Sequence, residues 1–139
     1  MSATTVNKSV RLPISISRLK SSLRGARAET MAYEFLVDQG LRLKARNYRT
    51  RRGEIDLIMQ AQGCIVFVEV KYRNNNKFGT AEASITRGKC QRMIAAAQEY
   101  LIRNGHAEDT AIRFDAVLLS ESEDAVANCT LNWIQNILT

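Results

Sequence analysis

The stretch Gly53-Glu-Ile-Asp-Leu-Ile-Met-Gln-Ala-Gln-Gly-Cys-Ile-Val-Phe-Val-Glu-Val-Lys-Tyr72 decides how this chain is read. Two apolar runs, residues 55–59 and 65–70, flank a polar break at residues 60–63. Each run is rich in β-branched residues and too short for a typical helix, so together they predict a tight antiparallel hairpin. Asp56, Glu69 and Lys71 are embedded in its strands. Strand side chains alternate between faces, which puts Glu69 and Lys71, two apart, on the same one. An isolated buried charge is costly, so this acid and base need a partner, a metal or water.

The spacing has a chemical reading. Asp56 and Glu69, from neighbouring strands, can converge on one divalent cation, with the Val70 carbonyl as a third oxygen ligand. Magnesium suits such a site, with manganese as its substitute, because it takes a few oxygen ligands, keeps waters and binds phosphate. The cation polarises a phosphoryl oxygen and lowers the pKa of a bound water. Lys71 orients that water or stabilises the developing negative charge. These parts make a plan for cutting a phosphodiester. In a regular strand Glu54 and Ile58 share a face with Asp56, while Ile55, Leu57 and Met59 take the other. Apolar residues on both faces predict a sheet covered on both sides. Spacing alone does not choose between Glu54 and Asp56 as the ligand.

Asp, a short gap, then Glu-x-Lys on the next strand resembles the metal site of the restriction-endonuclease-like nucleases, with a similarity to Holliday-junction resolvases. More closely, the chain resembles the YraN family of endonuclease-like bacterial proteins. The matching stretches are Gly25-Ala-Arg-Ala-Glu29, Arg46-Asn-Tyr-Arg49, Gly53-Glu-Ile-Asp-Leu-Ile58, Val66-Phe-Val-Glu-Val-Lys71 and Arg73. They continue with Phe78-Gly79, Lys89, Tyr100-Leu101 and Arg113-Phe-Asp115, so the resemblance spans residues 25–138. Tyr72 departs from it, standing where a small polar residue is expected. The resemblance implies a three-layer α/β, restriction-endonuclease-like fold: a mixed five-stranded sheet with a helix on each face. It selects Asp56 over Glu54, and it implies that an acid from the first helix, here Glu29, reaches the metal site. The bland alternative for Glu29 is a solvated helix acid favoured by the helix dipole.

At 139 residues the chain is one domain by length, with 45% apolar and 24% charged residues, ordinary for a globular protein. No apolar run approaches a membrane span. The net charge of +6 is unevenly placed. Residues 1–28 hold six basic residues and no acid, residues 42–92 twelve basic and four acidic, and residues 93–139 two basic and seven acidic. The basic side is built around the candidate site, which suits a polyanion such as nucleic acid. Cys64, Cys90 and Cys129 form no metal-ligand pattern, and small buried thiols in a reducing, cytoplasmic compartment are expected. His106, the single histidine, reads as a surface loop residue, which leaves proton transfer to the acids and Lys71.

In chain order, residues 1–22 read as a flexible basic tail, ahead of an endonuclease-like domain at 23–139. A targeting peptide or non-specific phosphate contacts are the alternatives for that tail. Residues 23–39 read as a helix with a stripe of Ala28, Met31, Ala32, Phe35 and Leu36. Leu41, Leu43 and Ala45 alternate with Arg42, Lys44 and Arg46 as a half-buried strand, and Arg49, Arg51 and Arg52 follow in the turn. Tyr48 is a stacking surface or part of the core. Residues 73–85 read as a polar loop. A helix capped by Thr86 or Ser84 runs to 104, with Arg87, Lys89 and Arg92 in its first turns. Residues 111–119 form a strand holding Arg113 and Asp115, and the strand–helix–strand order predicts a parallel crossover. Asp115 is expected to pair with a basic neighbour. Residues 120–128 read as an acidic turn. Residues 130–138 read as an edge strand with Trp133 and Ile137 on one face, or as a short helix.

The leading expectation is a magnesium- or manganese-dependent nuclease acting on DNA, branched or damaged DNA included, as a monomer or homodimer away from membranes. Asp56, Glu69 and the Val70 carbonyl bind the metal, Lys71 activates water, and Glu29 supports them. Arg46, Arg49, Arg51, Arg52, Arg73, Arg87, Lys89 and Arg92 hold phosphates. The alternatives are a non-catalytic nucleic-acid-binding module on a degenerate nuclease fold, or a protein-interaction domain.

Overall fold

The computed structural model describes residues 7–73, 85–121 and 129–138. Chain order runs β1 (Asn7–Leu12), α1 (Ser21–Asp38), β2 (Arg42–Arg49), β3 (Glu54–Ala61), β4 (Cys64–Arg73), α2 (Arg87–Arg103), β5 (Ile112–Glu121) and β6 (Cys129–Ile134). The strands form one sheet in the order β1-β6-β5-β4-β3-β2. Only β4 and β5, joined through α2, pair in parallel among the described strands. The parallel crossover and the β3–β4 hairpin are as expected.

The helices lie on opposite faces because alternate side chains of the central strands are apolar on both. On one face Leu57, Met59, Val66, Val68, Val117 and Leu119 pack against the Ala28, Met31, Ala32 and Leu36 stripe of α1. On the other, Ile58, Ile65 and Phe67 pack against Ala96, Ala97 and Tyr100 of α2. Two adjacent alanines let α2 come close to the sheet, and Tyr100 fills the remaining space edge-on to Tyr48 and Phe67. Tyr48 is therefore core. Among the described residues, no helix is long and apolar enough to cross a membrane. Cys64, Cys90 and Cys129 are free thiols.

The architecture is α/β with a mixed sheet between two helices, in line with a restriction-endonuclease-like fold, but the sheet has six strands and not five. The added strand comes from the segment expected to be a tail. Residues 7–12 pair antiparallel with β6, from Asn7↔Ile134 to Leu12↔Cys129. This makes β1 the edge and β6 an interior strand, correcting the edge assignment for residues 130–138. The strand also ends at Ile134, so Trp133 joins the α1-side core while Ile137 packs with Ala116, Leu118 and Ile134 elsewhere. Ile16, fully buried, anchors the link from β1 to α1. Beside it the buried Glu121 carboxylate accepts from the backbone N–H groups of Ile16 and Ser17 and from Ser15 Oγ. The N-terminal segment is thus tied down by apolar burial and by a polar latch.

Asp115 is fully buried and fully satisfied. It accepts from Arg113 at 2.9 and 3.0 Å, from Trp133 Nε1 at 3.0 Å and from the Asn136 N–H at 3.1 Å. The expected pairing with a basic neighbour is present, and it fastens the chain end to β5. Asp115→Ala leaves the Arg113 charge and the Trp133 N–H without their acceptor. It should destabilise the fold by about 3–5 kcal/mol, read as a lower urea midpoint. A loss below about 1 kcal/mol would show that water replaces the carboxylate.

Candidate active site

β3 and β4 part at Asp56, and the parting makes the site. Their ladder runs from Ala61↔Cys64 to Leu57↔Val68 and ends there. On the other edge of β3 the register passes from Arg46↔Leu57 to Tyr48↔Ile55, leaving Asn47 and Asp56 between the paired positions. Asn47 has a φ of 52°, in the left-handed region that asparagine tolerates better than most residues. The kink breaks the alternation. Ala45 and Tyr48, and likewise Ile58 and Ile55, are three apart yet all belong to the α2-side core. Ile55 therefore does not share a face with Leu57 and Met59, as a regular strand would require. The turn before β3 holds this geometry. A Cβ on Gly53 would lie 2.2 Å from the Arg92 carbonyl oxygen, so glycine is needed for the turn to press against α2.

The gap gives the backbone of β4 a new partner. The Val70 N–H donates to Asp56 Oδ2 at 2.8 Å, across the space where β3 has left. In a strand the N–H and C=O of one residue project to the same side, so the Val70 carbonyl faces the same gap. Asp56 and Glu69 meet there in hydrogen-bonding contact. Burial, then the Glu69 charge, push the Asp56 carboxyl up to about 7, against the stabilising Val70 bond. Glu69 is 3% exposed and pairs with Lys89 Nζ at 2.6 Å. Burial opposes the Lys89 ammonium, but Glu69 and then Asp56 outweigh it and hold its pKa above the usual lysine value. Lys71 moves the other way, lowered first by burial and then by the charges of Lys89 and Arg73.

These groups line one cleft of about 480 Å³. Among the described residues its acids are Glu29, Glu54, Asp56 and Glu69, and its bases Arg24, Lys71, Arg73 and Lys89. Glu29 enters from α1. Burial and the Asp56 charge raise its pKa, and its Oε1 is buried without a hydrogen-bond partner. Among the described residues, no three His, Cys, Asp or Glu side chains gather as one ligand cluster. Glu29 thus faces the Asp56–Glu69 pair without joining it. The donors the chain offers at the gap are two carboxylates and a carbonyl, all hard oxygen ligands.

The sequence from the middle of α1 through β5 matches one family model, the uncharacterised protein family UPF0102, over residues 28–119. The chain belongs to UPF0102. This bears out the resemblance to the YraN family, which is the same family. A UPF0102 protein of Saccharophagus degradans is 42% identical over 120 residues, covering 86% of this chain and 96% of the relative. Another, from Methylococcus capsulatus, is 41% identical over 125 residues, covering 90% and 98%. A third, from Nitrosomonas europaea, is 46% identical over 113 residues, covering 81% and 91%. Membership in UPF0102 does not by itself assign a chemistry to the site.

Of the basic residues expected to hold phosphates in this UPF0102 chain, all but Arg46 and Arg87 fall in two places. Arg73 and Lys89 line the acidic cleft. Arg49, Arg51 and Arg52 instead line a neighbouring groove of about 580 Å³ against α2, with Arg103 on its far side. Arg92 joins Arg49, Arg51 and Arg52 in a smaller recess that shares Glu54 with the cleft. Arg49 pairs loosely with Glu54 at 3.6 Å, an exposed contact of little energetic weight. Arg46 turns to α1, where it donates to Thr30 Oγ1 and lies over the Tyr33 ring. Arg87 is exposed at the start of α2. His106 stacks on Tyr100, outside the cleft. The loop at 74–84, the Ser84 cap and the turn at 122–128 lie outside the described residues; Thr86 caps α2, accepting from the Lys89 N–H. One site residue escaped the sequence reading. Arg24 lines the cleft, its guanidinium fixed by the carbonyls of Leu19 and Ser17. The signal was there: Ser21, Arg24, Gly25 and Ala28 recur at helical spacing and line the cleft together.

Proposed function

We propose that this cleft hydrolyses phosphodiester bonds in DNA, branched or damaged DNA included, with magnesium or manganese as cofactor. The observation that carries the reading is the contact of the buried Glu69 carboxylate with the half-buried Asp56 carboxylate, beside a lysine of lowered pKa. Asp56, Glu69 and the Val70 carbonyl would hold the cation, a small set of hard oxygen donors that fits a metal retaining several waters. When bound, the ion supplies polarisation of a phosphoryl oxygen and a more acidic water. Its lowered pKa leaves more of Lys71 neutral than an ordinary lysine at the same pH, free to accept a proton from the attacking water and, once charged, to stabilise the anion that forms. Arg24 and Arg73 line the cleft as phosphate partners.

One competing reading draws on a specific observation. Lys89 already pairs with Glu69, as expected of a binding module that keeps its acids for structure. A cleavage assay separates the two. Labelled single-stranded, duplex, flap and four-way DNA are each incubated with and without magnesium or manganese. The proposal expects cleavage of at least one substrate, abolished by chelator. Binding without cleavage across the panel would favour the module instead.

The arginine groove carries a prediction of its own. A phosphate backbone leaving the cleft past Glu54 meets Arg51 and Arg52 first. Replacing both with Ala should weaken DNA binding about equally for all sequences. It should also flatten the salt dependence by roughly one unit of log–log slope for each phosphate no longer neutralised. Fluorescence anisotropy across a salt series reads this directly. An unchanged slope would remove the groove from the DNA path.

A further inference from the structure

Lys89 occupies the position where a cation is wanted. Its Nζ lies 2.6 Å from Glu69 Oε1, with Asp56 and Lys71 as its other charged neighbours. Among the described residues, the four acidic and four basic side chains lining the cleft balance formally before any metal enters. The other cleft bases are not placed this way. Arg24 is tied to the carbonyls of Ser17 and Leu19, and Arg73 is exposed at the end of β4. A divalent ion bound by Glu69 and Asp56 would stand within a few ångströms of the Lys89 ammonium, at which range like charges repel strongly even with substantial screening. The four-carbon lysine stem is flexible, and Lys89 springs from the first turn of α2, so its head can swing off Glu69 without moving the helix.

Resting on the proposed reading of the cleft, we propose that Lys89 is the resident counter-ion of the acid pair. Its ammonium holds the cation position in the resting protein and leaves Glu69 when a divalent ion binds. The released head then pairs with a phosphate of bound nucleic acid. Metal and nucleic acid therefore bind with positive coupling, because the phosphate rewards the displacement that the metal requires.

The test measures metal binding, not turnover. Mn²⁺ is titrated into the full-length protein and into Lys89→Met and Lys89→Gln, with free Mn²⁺ read by electron paramagnetic resonance. Each titration is repeated with a non-cleavable phosphorothioate oligonucleotide. Folding is followed by thermal melts, and Lys89→Gln retains a hydrogen-bond donor for Glu69 should Lys89→Met prove unstable. Removal of the ammonium should tighten Mn²⁺ binding by about tenfold or more. The oligonucleotide should tighten it by a larger factor in the wild type than in either variant. Unchanged or weaker Mn²⁺ binding in both variants, with binding intact in the wild type, overturns the counter-ion role and leaves the metal site standing. Absence of Mn²⁺ binding in all three at millimolar concentration overturns both.

Discussion

Lys71→Ala should reduce cleavage at least about a thousandfold while changing DNA affinity by no more than about twofold. Lys71 sits on the same face of β4 as Glu69, and burial followed by the charges of Lys89 and Arg73 lowers its pKa. A proton-transfer group placed this way contributes about 10²–10⁴ in rate, with charge stabilisation adding to that. Its share of binding is small, because it is one positive charge among several along the path and accounts for about one unit of salt slope at most. Lys71→Arg should not restore the rate, since guanidinium stays charged and is bulkier than the ammonium. Single-turnover rates set beside anisotropy measurements check both halves. Equal loss of rate and affinity would give Lys71 a role in the interface or the fold instead.

Asp56→Asn should abolish cleavage and also stabilise the metal-free protein above neutral pH. The Asp56 carboxyl, pushed up to about 7 by burial and by Glu69, holds a proton in the folded state that the unfolded chain has already released. A raised pKa of this kind contributes stability that is complete below about pH 4 and is lost as pH rises through about 7. Above that, the ionised pair opposes the fold. Asparagine keeps an acceptor for the Val70 N–H and a donor for Glu69 but carries no charge. Its Tm should exceed that of the wild type by roughly 5 °C at pH 8 in chelator, and by much less at pH 5. Millimolar magnesium should then raise the wild-type Tm and leave the variant unmoved. A variant less stable than the wild type at pH 8 would show that the carboxylate is structural.

The parts legible in the sequence are those governed by local periodicity. The β3–β4 hairpin, the shared face of Glu69 and Lys71, the stripe of α1 and the parallel crossover all follow from spacings of two or of three to four residues or from the order of elements. The parts missed depend on contacts between distant segments. Only Val10 and Leu12 are apolar in β1, which reads as a polar tail until β6 is there to pair with it. Glu121 looks like part of an acidic turn, yet its partners Ile16 and Ser17 lie more than a hundred residues earlier. Ile55 leaves its expected face where the strand pair kinks at Asn47 and Asp56, a kink held by the close approach of Gly53 to Arg92 of α2 that strand alternation cannot register. Lys89 reads as a phosphate contact by charge alone; its bond to Glu69 appears only once α2 crosses the end of β4.

The most direct test is where manganese binds. Anomalous diffraction from a crystal grown with Mn²⁺ should give a peak in the gap between β3 and β4. It should lie about 2.0–2.3 Å from oxygens of Asp56, Glu69 and the Val70 carbonyl, and it should be absent from Asp56→Asn. A peak elsewhere, or none in that gap at saturating manganese, would contradict the assignment of these residues to a metal-dependent phosphodiesterase site.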